Sequence, residues 1–192
     1  PSMTGYPAIK GNEFDLVKAQ SLLAEAGYPN GEGFPKMTII YNTNEGHKKI
    51  AEYVQQAWKK NLGINVELAN LEWATFLDER QSGNFQIGRA GWVGDYQDPS
   101  NFLELFLTGG GNNDGNYSNP EFDALMAKAA SMPAGAERFE VLRQAEEMLV
   151  TEDQAIIPFY FYVTQNMIDL EKWDGWYTNT QDIHPYVGIK RK

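Results

Sequence analysis

Asp95 lies between Gly94 and Tyr96 in the stretch GRAGWVGDYQDP, residues 88–99, which holds one arginine, two aromatics and two aspartates without a helical period. An acid on a loop often serves only solubility. Placed directly after a strand end, it also suits capture of a positively charged ligand through a charge-assisted hydrogen bond. His47, Trp73, Arg80, Arg89 and Trp92 extend this set. Cations, aromatics and one acid make a recognition inventory, able to bind charged and flat groups without breaking bonds.

Catalysis would need a nucleophile with its base, a paired-acid site or a metal cluster. The chain has two histidines, His47 and His184, neither beside a second metal-ligand type at a recognised spacing, and no cysteine, so thiolate metal sites and disulfides are excluded. Asp95 with Asp98 or Glu72 would form a glycosidase-like pair only at a separation that sequence does not fix. The loop TGGGNNDGNYSN, residues 108–119, lacks the Lys-Ser/Thr ending of a phosphate cradle and offers one carboxylate, Asp114, too few for a calcium loop. We therefore expect no enzyme, no metal and no cofactor.

Each candidate has a plainer alternative. Trp73 and Trp92 suit core packing, His47 a solvated helix start, and Arg80 a helix-end cation. Arg89 has Asp95 and Asp98 as nearby counter-ions. Asp95 and Asp98 are both candidate caps for a helix beginning near Pro99, with Asp98 the better placed.

The elements that carry these residues alternate. A helix is expected over 13–26 with Leu16, Ala19, Leu23 and Ala26 on one face and Gly27 at its end. A strand over 36–42 precedes a helix over 45–61, with Ile50, Val54, Ala57 and Trp58 on one side and a stop at Gly63. A strand over 64–70, a short helix over 74–81 and a strand over 84–92 follow. Strands separated by helical crossovers give an α/β fold with an open, largely parallel sheet flanked by helices. Ligands of such sheets bind beyond the carboxyl ends of the strands, where residues 42–47 and 89–95 fall. Further on, short and long helices are expected over 99–107 and 136–150, with another opened by Asn119 and Pro120. IIPFYFYV, residues 156–163, reads as a strand, starting at Pro158 or lying on an edge.

The 192 residues suit one globular domain, or one plus an appendage, with enough apolar material for a core. Sixteen basic against twenty-six acidic residues leave a net charge of −10, which disfavours nucleic acid and anionic membranes as partners. There is no run of about 18 apolar residues and no signal-segment pattern. A first residue of proline, not methionine, reads as a cut end. Residues 164–192 carry Trp173, Trp176, Tyr177, Tyr186, Val187 and Ile189 with little sequence left to cover them, which points to an absent partner surface.

The segment NTNEGHKKIAEYVQQAWKKNLGINVELANLEWATFLDERQSGNFQIGRAGWVGDYQDPSNFLELF, residues 42–106, resembles the carboxyl-terminal lobe of the periplasmic oligopeptide-binding proteins that feed ABC importers. The spacing of EW, TFLDER, GRAGW and DY carries the likeness, and YSNPEFDALMAKA and AIIPFYFYV continue it. Members of that family are bilobal and longer. The resemblance implies that residues 1–163 are part of the second lobe and that residues 164–192 form a crossover tail completing the missing first lobe. Such a tail would be exposed, disordered or borrowed by a neighbouring molecule in self-association.

The resemblance also implies roles. Asp95 matches the acid that pairs with a peptide's α-ammonium. Backbone at Gly91 to Val93 matches the segment that bonds the ligand main chain as an added strand. Arg89, Arg80 and His47 match positions near the carboxylate end, and Trp73 and Trp92 match positions near side-chain pockets. The implied partners are an oligopeptide and importer permease subunits; the implied location is the periplasm or, as a lipoprotein, the cell surface. Relatives that take a dipeptide, a nickel chelate, an opine or an oligosaccharide are the alternative, as is a peptide-holding chaperone or sensor domain.

Overall fold

The computed structural model describes residues 3–179 and 181–192, so the expectation at Pro1 lies outside the described residues. The described chain forms two compact units. One comprises Asn12–Gly91 and Gly111–Tyr117; the other comprises the residues up to Gly11, Trp92–Gly110 and Ser118–Lys192.

The first unit contains the parallel sheet. Strand β1 (Met37–Asn42) is central, paired in parallel with β2 (Val66–Leu71) along its whole length and with β3 (Ile87–Gly88) over two residues. Ile39, Ile40 and Tyr41 are buried in succession, so both faces of β1 are covered, as expected of an interior parallel strand. Ile39, Ile64 and Val66 gather Met37, Leu68 and Ile87 from the sheet side. Leu23 of helix α1 (Leu16–Glu25) and Val54, Trp58 and Leu62 of helix α2 (Glu45–Leu62) pack onto this cluster. In helix α3 (Trp73–Gln81), Phe76 is fully buried.

Local chemistry sets the helix ends. Asn44 caps α2 by accepting from the amides of Gly46 and His47 at 2.8 and 3.2 Å. Gly63 ends α2 in the left-handed region at φ +70°, and a Cβ there would stand 1.9 Å from the Asn30 carbonyl oxygen. Only glycine meets both demands. Glu72 caps α3 by accepting from the Ala74 amide at 2.8 Å.

The second unit centres on α5 (Pro120–Ala130) and α6 (Ala136–Glu147), which bury Phe122, Met126 and Ala129 with Val141, Leu142 and Ala145. Asn119 caps α5 as anticipated, with Pro120 in its first turn. The Tyr6 hydroxyl donates to Glu146 Oε2 at 2.7 Å, and its ring meets Phe139 edge-on at 5.6 Å.

Four expectations need correction. The strand over 84–92 is reduced to Ile87–Gly88, because the Phe85 ring lies back against Gly88 and the chain leaves the ladder after the Arg89 amide bonds the Ile40 carbonyl at 2.9 Å. The helix over 99–107 is α4 (Ser100–Leu103) followed by a 3-10 turn, Glu104–Phe106. The helix over 136–150 is regular to Glu147 and widens into a π turn over Met148–Glu152. Residues 156–163 are not a strand: neither sheet of the described residues includes them, and Phe159 to Val163 are exposed. Their β propensity has no ladder to act on.

The carboxyl-terminal segment organises itself locally. Strands β4 (Trp173–Asp174) and β5 (Lys190–Arg191) pair antiparallel, and Trp176 stacks on His184 at 4.8 Å. Met167, Tyr186 and Val187 are almost wholly exposed. Among the described residues no helix is long and apolar enough to cross a membrane.

Candidate functional site

In the first unit, parallel pairing sends the carboxyl ends of all three strands to one edge. β1 runs through Asn42 to the Asn44 cap, which sets His47 in the first turn of α2. β2 runs through Glu72 to Trp73, the first residue of α3. β3 delivers Arg89. Three of the expected residues, His47, Trp73 and Arg89, thus share that edge by topology.

His47 is half-buried, and burial followed by the Arg89 guanidinium holds its pKa below 6.5, with the Asn42 main chain opposing both. Neutral at pH 7, it can donate and accept hydrogen bonds. The Asn42 Oδ1 at the same edge is buried without a hydrogen bond among the described residues. Gly91 faces the Arg89 guanidinium so closely that a Cβ there would sit 2.9 Å from Nη2.

Arg80 sits at the opposite end of α3. It forms an ion pair with Asp114, and its guanidinium lies 5.5 Å from the centre of the Phe76 ring. Trp73 stacks on the other side of the same helix face, 6.0 Å from Phe76, yet remains 52% exposed, which removes core packing as its role.

In the second unit, one buried side chain shapes the segment from Trp92 to Asp95. Asn101 is 1% exposed, and its Oδ1 accepts from Trp92 Nε1 and from the Asp95 amide, both at 3.0 Å. Gly94 between them is buried against Phe102, 3.0 Å from where a Cβ would be. The Asp95 carbonyl accepts from Gln181 Nε2 at 3.0 Å. The Asp95 carboxylate itself is exposed and takes no hydrogen bond or ion pair among the described residues. Its backbone is fixed while its charge stays available. Val93 is 66% exposed and Trp92 37%.

Asp98 has a structural role instead. Its Oδ1 accepts from the amide and hydroxyl of Ser100, and Arg138 grips both of its oxygens. Burial pushes the Asp98 pKa up, but the Arg138 and Ser100 bonds prevail and hold it at about 2. Asp98 thus holds the first amide of α4 from the position just before its N-cap residue, Pro99, and its cation is Arg138.

Sequence reasoning missed Asn101, Arg138 and the Arg80–Asp114 pair. Asn101 offered no signal, since an asparagine in a first helical turn reads as a weak helix former. Asp114 stands in the sequence as a lone carboxylate; its partner lies 34 positions away.

Residues 1–114 match the model of the bacterial extracellular solute-binding proteins, family 5 Middle. The chain is 40% identical over 183 residues to the periplasmic oligopeptide-binding protein OppA of Escherichia coli K12, covering 95% of this chain and 32% of that protein. It matches the crystal structure of a periplasmic oligopeptide-binding protein from Borrelia burgdorferi with TM-score 0.83 and 38% identity, over 100% of this chain and 39% of that one. Haemophilus influenzae OppA in complex with RPPGFSPFR matches with TM-score 0.76 and 35% identity, over 92% and 34%. Relatives named for other ligands also match. A probable deoxycholate-binding periplasmic protein of E. coli K12 is 30% identical over 98% of this chain and 33% of its own length. Heme-binding protein A of H. influenzae is 35% identical over 81% and 29%. The chain spans about a third of the length of the curated relatives it matches. With more than half of its residues inside the family model, the chain belongs to the bacterial extracellular solute-binding proteins of family 5.

Proposed function

We propose that this chain is one lobe of a binding protein that captures short peptides by their main chain and charged ends and delivers them to the permease of an ABC importer. The observation that carries the reading is Asp95: a carboxylate on a backbone pinned by Asn101, exposed and without a cation among the described residues. A peptide's α-ammonium supplies that cation. Gly91 to Val93 pair with the ligand main chain, Trp73 and Trp92 border its side chains, and His47, Arg89 and Arg80 read its carboxylate end. The likeness to a peptide complex of H. influenzae OppA supports the ligand class.

Every peptide presents the same termini and backbone groups, so a site addressing those can tolerate many sequences where its side-chain pockets are wide and wet. Residues 1–163 belong to the second lobe in this reading, and residues 164–192 complete the other. The exposed Met167, Tyr186 and Val187 support a surface that another part of the protein covers, with self-association through the same surface as the substitute. We place the protein in the periplasm or at the cell surface as a binding protein and not an enzyme. The relatives named for deoxycholate and heme favour one second reading, a non-peptide ligand on the same lobe.

Isothermal titration of the intact binding protein with tri- and tetrapeptides and their N-acetylated forms separates the two. Binding that acetylation abolishes supports the peptide reading; no peptide binding, with saturable binding of an amphipathic acid or a porphyrin, supports the second.

A further inference from the structure

Trp73, Phe76 and Arg80 occupy one face of α3 at positions i, i+3 and i+7. Trp73 begins at the sheet edge that His47 and Arg89 share, whereas Arg80 lies seven residues along the helix, about 10 Å away. That distance equals about three residues of extended chain. A carboxylate read by Arg80 would therefore belong to a ligand of different length or register from one read by Arg89 and His47.

Arg80 is already engaged. Its side chain is 19% exposed and that of Asp114 is 14% exposed, so their ion pair is largely shielded from water, and the Phe76 ring backs the guanidinium. The loop that offers Asp114 braces itself. Asn113, buried, donates from Nδ2 to the Tyr117 carbonyl at 2.7 Å and accepts from the Tyr117 amide at 3.0 Å, and the Asn116 amide donates to the Asn113 carbonyl at 3.0 Å. This scaffold makes no use of the Asp114 carboxylate. The carboxylate is thus free to serve as a counter-charge.

We infer that Asp114 is a specificity-determining residue: a resident carboxylate that occupies Arg80 and competes with the carboxylate of any peptide long enough, or so placed, to reach it. The inference rests on the peptide-binding reading above. Arg89 and His47 serve carboxylates at the sheet edge, and Asp114 sets the penalty for reading at Arg80. A plain structural staple would have the same geometry but no effect on ligand choice.

The test compares the intact binding protein with its Asp114→Asn and Asp114→Ser variants, using peptides of two to six alanines as free acids and as C-terminal amides. Thermal unfolding selects the variants that fold, and titration calorimetry gives the acid-to-amide affinity ratio at each length. The expected result is that the ratio rises about tenfold at one or two lengths in either variant, the worth of one charge-assisted hydrogen bond, and that adding Arg80→Gln removes the rise. Ratios unchanged at every length in a folded variant overturn the inference and leave the peptide reading intact. No peptide binding by the unsubstituted protein overturns both.

Discussion

Asp98 and Arg138 are joined by two parallel hydrogen bonds, Nη1 to Oδ2 at 2.7 Å and Nη2 to Oδ1 at 2.9 Å, while Arg138 Nε reaches the Ala129 carbonyl at 3.0 Å. One fork ties the cap of α4 to α6 and to the end of α5. Asp98→Asn should lower unfolding stability by about 2 kcal/mol, the range for a hydrogen bond to a charged group. Urea denaturation at pH 7 measures it. The pH dependence has a definite sign: the folded pKa, about 2, lies below the reference 3.8, so the contribution is full above about pH 4 and is lost as pH falls towards 2.

Asn101→Leu removes the acceptor that holds Trp92 and Asp95, leaving two donors without it. Stability should fall by about 1 to 3 kcal/mol. Peptide affinity should fall too, because the Asp95 backbone loses its anchor. Equal affinity in the variant and the parent would show that Asn101 has no part in placing the acid.

How much of this was readable follows from range along the chain. The Asn119–Pro120 start of α5, the Gly63 stop of α2 and the strands β1 and β2 are local signals, and each stands within two residues of where the sequence puts it. The residues 156–163 have strong β composition but no strand, because a ladder is a property of two segments. Asp95 was conspicuous by type and position; the Asn101 side chain that fixes it was not. Asp98 announced its cap by preceding Pro99, but neither its Arg138 partner nor the Asp114 partner of Arg80 is written in any local pattern.

Gly63→Ala tests the meeting of α2 with the 29–31 turn. The left-handed φ and the 1.9 Å approach to Asn30 both oppose a side chain. A loss of more than about 1 kcal/mol in urea denaturation is expected. A neutral result would mean that the turn moves aside freely.

His47 should titrate below 6.5 in an NMR pH series, where two histidines give a simple spectrum. The unfolded chain takes up this proton first as pH falls, so the His47 contribution to stability declines from neutral pH through 6.5 towards the lowered folded value. Arg89→Gln should move the folded pKa part of the way back up, since burial is the larger cause and remains. A His47 that titrates at or above 6.5 would contradict the proximity of Arg89.

The isolated 192-residue chain should bind tri- and tetrapeptides weakly or not at all, because charge pairs gain strength from exclusion of water and, in the proposed reading, the opposite lobe provides that exclusion. Tight binding in titration calorimetry by the chain alone would refute this.

The most direct measurement is a double cycle in the intact binding protein: Asp95→Asn in the protein against N-acetylation in a tripeptide, each affinity taken by titration calorimetry. The account predicts that either change alone weakens binding by about 2 to 5 kcal/mol and that the second adds little to the first. Full affinity in the Asp95→Asn protein, or independent additive losses, would contradict a bond between this carboxylate and the peptide's ammonium.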